Sequence, residues 1–161
     1  MIVSVIGFGH VGSVVGSVLA DRGCKVYGID KNIDLITSFK KGLSPINEPG
    51  LQKLITNGLE KKKLIITDSL ASISKSKMII ITVGTPLNKK YLPNLTYLKA
   101  ACNEIKKLIK PGHMICLKST VPPGTTRNII YKILGSKKNI DLAFTPERFS
   151  EGTAIKEFKS L

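Results

Sequence analysis

The sequence has little of what would hold a secreted, membrane-bound or metal-centred protein together. It has three cysteines, Cys24, Cys102 and Cys116, an odd count with no CxxC spacing. That argues against a disulfide framework and against a zinc site, so no metal is expected. A reducing compartment is the simplest setting, and the chain is expected in the cytoplasm. No apolar run approaches the roughly 18 residues of a membrane span. The start at Met1 leaves no room for a leader peptide before the first apolar run. Aromatic residues make up only 6%. Arginine occurs only at Arg22, Arg127 and Arg148. No internal repeat, low-complexity stretch or interdomain linker interrupts the chain.

What is present fits one domain. The 161 residues are 42% hydrophobic, enough to bury a core. The net charge is +14, from 25 basic and 11 acidic side chains. Such an excess raises the question of nucleic acid or an anionic membrane. The basic residues are nearly all lysine, however, and they are scattered apart from Lys61-Lys62-Lys63. Aromatic side chains do not interleave with them, so no platform for stacked bases is evident. The plain reading is a solvated lysine-rich surface, with no nucleic-acid and no membrane partner. An anionic small-molecule substrate would also suit a basic face.

The first thirty residues carry the strongest pattern. Ile2-Val3-Ser4-Val5-Ile6 is a β-branched apolar run. Gly7-Phe8-Gly9-His10-Val11-Gly12 follows directly. Val11, Val14, Val15, Val18 and Leu19 then recur at helical spacing. Cys24 to Ile29 is extended again and ends on Asp30. Strand, glycine turn, helix, strand and acid form a βαβ dinucleotide fingerprint. Gly7 permits the turn, Gly9 lets a pyrophosphate approach the backbone, and Gly12 lets the helix pack on the strand. Free N–H groups and the positive end of the helix dipole face the phosphates. A carboxylate at Asp30 can accept from both ribose hydroxyls and repels a 2′-phosphate, which favours NAD over NADP.

The rest alternates between strand and helix. Helices are expected over Asn32–Lys41 and Leu51–Asn57, separated by a breaker-rich loop, Leu43–Gly50. Strands are expected at Leu64–Thr67, Lys77–Val83, His113–Leu117 and Leu142–Phe144. Asp68 is read as the cap of a short helix to Ser74, and Thr96 as the cap of a helix to Ile109. A last helix runs from about Arg127 to Leu134. The fold class is therefore α/β, a Rossmann-type doubly wound parallel sheet of about six strands with helices on both faces.

In such a sheet ligands bind outside the carboxyl ends of the strands. Gly7–Gly12, Val83-Gly84-Thr85-Pro86, Lys118-Ser119-Thr120 and Pro146–Glu151 converge there. They supply hydroxyls (Thr85, Ser119, Thr120), cations (Lys118, Arg148) and two carboxylates, Glu147 and Glu151. Were that last segment helical, both carboxylates would share one face. Such a pair could act as acid and base or hold a water. The same residues also have plain structural roles open to them: Thr85 and Thr120 as turn caps, Glu151 as a helix cap.

The order of the motifs adds more. Gly7–Gly12, Asn47-Glu48-Pro49-Gly50-Leu51, Val83–Pro86, Lys118–Thr125 and Pro146-Glu147-Arg148…Glu151–Ile155 together resemble the amino-terminal domain of the UDP-glucose/GDP-mannose dehydrogenase family. The resemblance covers essentially the whole chain. Family members oxidise the C6 alcohol of a nucleotide sugar to a carboxylate with two NAD per turnover, and their products feed polysaccharides. The resemblance implies that Gly7, Phe8, Gly9, His10, Val11 and Gly12 form the pyrophosphate turn and that Asp30 holds the adenosine ribose. It places Val83, Gly84, Thr85, Pro86, Ser119 and Thr120 on the nicotinamide side. Glu147 is similar to the family's acid/base or structural glutamate. Glu151 matches the glutamate that, with Thr120, orders the catalytic water and contacts the cofactor. Glu147, Arg148 and Phe149 would face the substrate.

There are departures. Leu35 stands where members often carry Lys or Arg after the ribose acid. The nucleophilic cysteine, the catalytic lysine, the central helix and the sugar-nucleotide domain match nothing in the chain. Residues 1–161 are thus expected to be one NAD-binding domain of a longer UDP-sugar 6-dehydrogenase, a homodimer when complete. Motifs of the UDP-glucose and UDP-N-acetylmannosamine branches are mixed, and the sugar stays open. A non-catalytic NAD-binding module and a lysine-driven nucleic-acid binder are the competing readings.

Overall fold

The computed structural model describes residues 1–135 and 139–160. Six parallel strands form one sheet: β1 (Ile2–Ile6), β2 (Lys25–Ile29), β3 (Leu64–Thr67), β4 (Met78–Ile81), β5 (Met114–Leu117) and β6 (Asp141–Phe144). Their spatial order is β3-β2-β1-β4-β5-β6, which makes the sheet doubly wound, as the sequence reading expects; the strand order itself comes from the structure. Helices α1 (His10–Asp21), α2 (Ile33–Lys40), α3 (Leu51–Glu60) and α6 (Ala154–Lys159) cover one face. A 3₁₀ turn (Leu70–Lys75), α4 (Thr96–Ile105) and α5 (Tyr131–Leu134) cover the other.

Strands buried on both faces are apolar throughout, and β4 is of this kind. Its residues Ile79 and Ile81 join one core, while Ile80 joins the other. The exception in β1 is Ser4, fully buried, whose hydroxyl lies 2.8 Å from Ser76 Oγ and 3.0 Å from Ser72 Oγ. Buried hydroxyls that satisfy one another cost the fold little. Ser17 differs. It is buried within α1 and its hydroxyl has no partner. Ser17→Ala removes an unsatisfied donor and adds helix propensity, so it is expected to stabilise the domain by about 1 kcal/mol. A urea unfolding midpoint that falls instead of rising would overturn this.

Several boundaries differ from the sequence reading, each for a local reason. β4 stops at Ile81; Thr82 still donates its N–H to Ile6 O at 2.8 Å, while its hydroxyl turns to Gly7 O at 2.6 Å. Ser69, not Asp68, caps the 3₁₀ turn, accepting from Ala71 N at 3.2 Å. Asn94 Oδ1 accepts from Thr96 N at 3.0 Å, so Thr96 is the first residue of α4 rather than its cap. The last expected helix opens with a π-helical turn over Thr126–Ile130. Residues 145–150 form no regular element, and the helix that follows begins only at Ala154. The left-handed backbone of Gly152 (φ 87°) interrupts the chain just ahead of it.

Candidate cofactor site

Strand order reverses between β1 and β4, so the loops leaving these two strands diverge and open a crevice. The glycine turn forms one wall. Gly7 has φ 89° and donates to Ile29 O at 2.8 Å. A Cβ on Gly12 would lie 2.0 Å from Gly7 O, so only hydrogen fits where α1 crosses the turn. A Cβ on Gly9 would meet nothing within 4 Å. The turn is thus closed toward the protein and open toward the crevice at the position a phosphate would approach.

Asp30 extends from the tip of β2 back to this turn. Its Oδ2 accepts from Phe8 N at 2.7 Å and its Oδ1 from Asn32 N at 3.0 Å. Each oxygen keeps a second lone pair for a ligand hydroxyl. A cavity of about 520 Å³ lies beside it, bounded also by Asp68, Val83, Tyr97 and Ala101. Lys31 Nζ meets Glu104 Oε1 at 2.5 Å, joining the loop after β2 to α4 across the rim. A smaller hollow of about 190 Å³ lies beside it. The two share Val11, Thr82, Val83 and Gly84, which makes one groove across the crevice.

The smaller hollow gathers the later motifs. Thr85 Oγ1 donates to Thr120 O at 2.6 Å, and buried Ser119 Oγ to Val83 O at 2.7 Å. Thr120 Oγ1 donates to Glu147 Oε1 at 3.1 Å. Lys118 Nζ donates to Thr145 O at 2.9 Å. Burial pulls the Lys118 ammonium below its ordinary value, against the opposing pull of Glu147 and Cys116.

The two carboxylates do not share a helix face. Glu147 is held by Thr120, whereas Glu151 Oε1 lies 3.2 Å from His10 Nδ1. The irregular backbone between them sends them to different partners. Phe8 offers the groove only its main chain. Its ring is fully buried, edge-on to Phe39 with centroids 5.4 Å apart, in space left by Gly16 and Gly28. Phe149 lies edge-on to Phe158 at 5.9 Å, and Arg148 and Pro86 are exposed. Leu35, in the first turn of α2, donates its N–H to the Asn32 cap.

Sequence reasoning gave no individual role in the groove to Glu48, Asp68, Lys31, Tyr97 or Glu104. Asp68 had a usable signal, since it follows the carboxyl end of β3 directly. Glu48 had a weaker one, an acid between Ile46 and Leu51. The cysteines stand apart from the groove chemistry. Burial pushes the Cys102 thiol up to about 12 and raises that of Cys116 as well, which keeps both protonated and inert. Among the described residues no group of three His, Cys, Asp or Glu side chains could hold a metal ion. No helix among them is long and apolar enough to cross a membrane.

A family model for the NAD-binding domain of the UDP-glucose/GDP-mannose dehydrogenases matches residues 1–161. The chain belongs to the UDP-glucose/GDP-mannose dehydrogenase family. A GDP-mannose 6-dehydrogenase of Pseudomonas putida is 37% identical, over 98% of this chain and 38% of the relative. The UDP-glucose 6-dehydrogenase TuaD of Bacillus subtilis is 38% identical, over 95% of this chain and 34% of the relative. Among solved structures, a GDP-mannose dehydrogenase from Pseudomonas aeruginosa superposes with TM-score 0.93 at 32% identity, over 98% of this chain and 38% of that one. A UDP-N-acetylmannosamine dehydrogenase from Pyrococcus horikoshii gives 0.90 at 30%, with the same coverage. The chain therefore spans little more than a third of the length of these dehydrogenases. NAD is the cofactor of the matched domain, and the groove offers features that fit it: an open Gly9, the start of α1, and the Asp30 carboxylate at the tip of β2.

Proposed function

We propose that these residues are the NAD-binding domain of a longer nucleotide-sugar 6-dehydrogenase, which oxidises the C6 alcohol of a UDP-sugar to a carboxylate. The observation that carries this reading is the single groove running from Asp30 past the glycine turn to Thr120 and Glu147. Gly7, Gly9 and Gly12 and the first N–H groups of α1 take the pyrophosphate. Asp30 takes the adenosine ribose and repels a 2′-phosphate. Val83, Gly84, Thr85, Pro86 and Ser119 shape the nicotinamide end, and the Thr85 and Ser119 bonds stiffen it. NAD, when bound, supplies the hydride acceptor. Thr120 gives its hydrogen to Glu147, which leaves the hydroxyl lone pairs available to a water or a sugar alcohol. Glu151 supplies a second acceptor, near the phosphate turn. Arg148 places an exposed cation beside these acids, suited to an anionic substrate. The nucleophile and the sugar-nucleotide pocket belong to the rest of the enzyme, a cytoplasmic homodimer serving polysaccharide synthesis.

Identity to a GDP-mannose enzyme (37%) and to a UDP-glucose enzyme (38%) supports both bases equally, so the test includes both. The complete gene product is given NAD with UDP-glucose, UDP-N-acetylmannosamine or GDP-mannose. The expected result is NADH formation with one UDP-sugar, at two NADH per sugar oxidised, while residues 1–161 alone bind NAD without turnover. NADH from GDP-mannose alone would overturn the UDP reading. No NADH from any nucleotide sugar would overturn the enzyme reading in favour of a non-catalytic NAD-binding module.

A further inference from the structure

Glu48 is a buried anion in an unexpected place. It sits in the breaker-rich loop between α2 and α3, where Asn47, Pro49 and Gly50 are all exposed. Its own side chain is only 1% exposed. Burying a carboxylate is costly unless its oxygens find strong donors. Glu48 finds three, all distant in sequence. Oε2 accepts from Gly152 N at 2.7 Å and lies 3.2 Å from His10 Nε2. Oε1 accepts from Ile155 N at 3.3 Å. Among the described residues the side chain paired with it is this imidazole, and no lysine or arginine reaches it.

His10 is the first residue of α1, directly after Gly9, so its ring borders the phosphate turn. Its Nε2 faces Glu48 and its Nδ1 faces Glu151 Oε1, 3.2 Å away. The Glu151 side chain is otherwise 87% exposed, and a carboxylate so open to water holds no fixed position by itself. Among the described residues the group that faces it at contact distance is the imidazole. The buried carboxylate in turn fixes the ring, and it also fixes the backbone immediately after Glu151 through Gly152. Two independent restraints on Glu151 thus start from one residue of a loop that never enters the groove.

We propose that Glu48 is a positioning residue of the cofactor groove: through the His10 ring it holds the Glu151 carboxylate beside the phosphate turn, so that the turn and the acid-bearing segment move as one unit. This rests on the reading of the groove as the NAD site.

The test is a double-mutant cycle on residues 1–161. Glu48→Gln keeps the size of the side chain and a carbonyl acceptor but removes the charge. His10→Ala removes the ring and leaves the Gly152 and Ile155 bonds in place. Each single substitution is expected to weaken NAD binding about tenfold, and the double substitution no further, because residues of one network are strongly non-additive. Losses that multiply, or NAD affinity unchanged in both single variants, would overturn the proposal. A purely structural role for Glu48, exerted through the two amides, would persist in the His10→Ala background. If Glu48→Gln does not fold, the cycle of His10→Ala with Glu151→Gln carries the same test, with non-additive losses expected and multiplied losses overturning it. A second measurement needs no cofactor. The backbone amide signals of Glu151 and Gly152 are expected to shift in His10→Ala, and unchanged signals would break the link between ring and segment. Failure of the unsubstituted chain to bind NAD would instead overturn the reading of the groove, and the amide measurement still decides the link.

Discussion

Gly12→Ala should unfold the domain or leave it severely destabilised, by about 3 kcal/mol or more. The added methyl would lie 2.0 Å from the carbonyl oxygen of Gly7 and 2.7 Å from Thr82 Oγ1. Neither neighbour can retreat. Gly7 is held by its own bond to Ile29 O, and Thr82 by its bonds to Gly7 O and Ile6 O. The collision is with backbone, so no rotamer change relieves it, and α1 must lift off the sheet. Gly9→Ala is the informative contrast. Its methyl meets nothing within 4 Å. Stability should fall by only about 0.5–1 kcal/mol, the scale of replacing glycine by alanine at a helix N-cap, well short of Gly12→Ala. NAD binding should nevertheless be lost, because the methyl stands where the pyrophosphate approaches. Urea unfolding and calorimetric titration with NAD separate the two effects. Equal stability of the two variants would show that α1 does not depend on close contact at Gly12.

Asp30→Ala is expected to weaken NAD binding by about 30- to 100-fold, the scale of losing hydrogen bonds to a charged acceptor. Two losses combine. The ribose hydroxyls lose their acceptor, and the N–H groups of Phe8 and Asn32 lose theirs. Asp30→Asn keeps one oxygen and should fall between the two. The substitution also removes the negative charge that repels a 2′-phosphate. The preference for NAD over NADP should therefore shrink together with the affinity. Calorimetric titration with both dinucleotides reads these effects directly. An unchanged NAD affinity would mean that the cavity beside Asp30 is not the adenosine end of the groove.

Much of this was legible in the chain because it rests on local rules. A β-branched run, a glycine turn, a 3.6-residue repeat and an acid at a strand end each follow from nearby residues. The parallel, doubly wound character of the sheet followed from the alternation of strands with helices, though the strand order did not. What was hidden depends on contacts between distant segments. Nothing near Thr82 in sequence announces that its hydroxyl will donate to Gly7 O. Phe8 stands in the middle of a binding motif, yet its ring belongs to the core, because Gly16 and Gly28 leave room for it there. The four-residue spacing of Glu147 and Glu151 promised a shared helical face. No helix forms there, and partners 27 residues back for Glu147 and far earlier for Glu151 decide where the two acids go. Glu48 was legible only as part of a motif. Its burial depends on donors more than 100 positions later.

That separation has a consequence for how the chain folds as it is made. Glu48 leaves the ribosome long before Ile155, 107 residues behind it. At about 5–20 residues per second the interval is roughly 5–20 seconds. During it β1, α1, β2 and α2 can form and the His10 ring is already present, but the loop carrying Glu48 must stay partly hydrated, because the amides of Gly152 and Ile155 do not yet exist. The last helix closes the structure from the other end, where Lys159 pairs with Asp21 at 3.3 Å and its carbonyl accepts from Arg22. Nascent chains halted before residue 155 should therefore expose loop 43–50 to protease, and those carried past it should protect it.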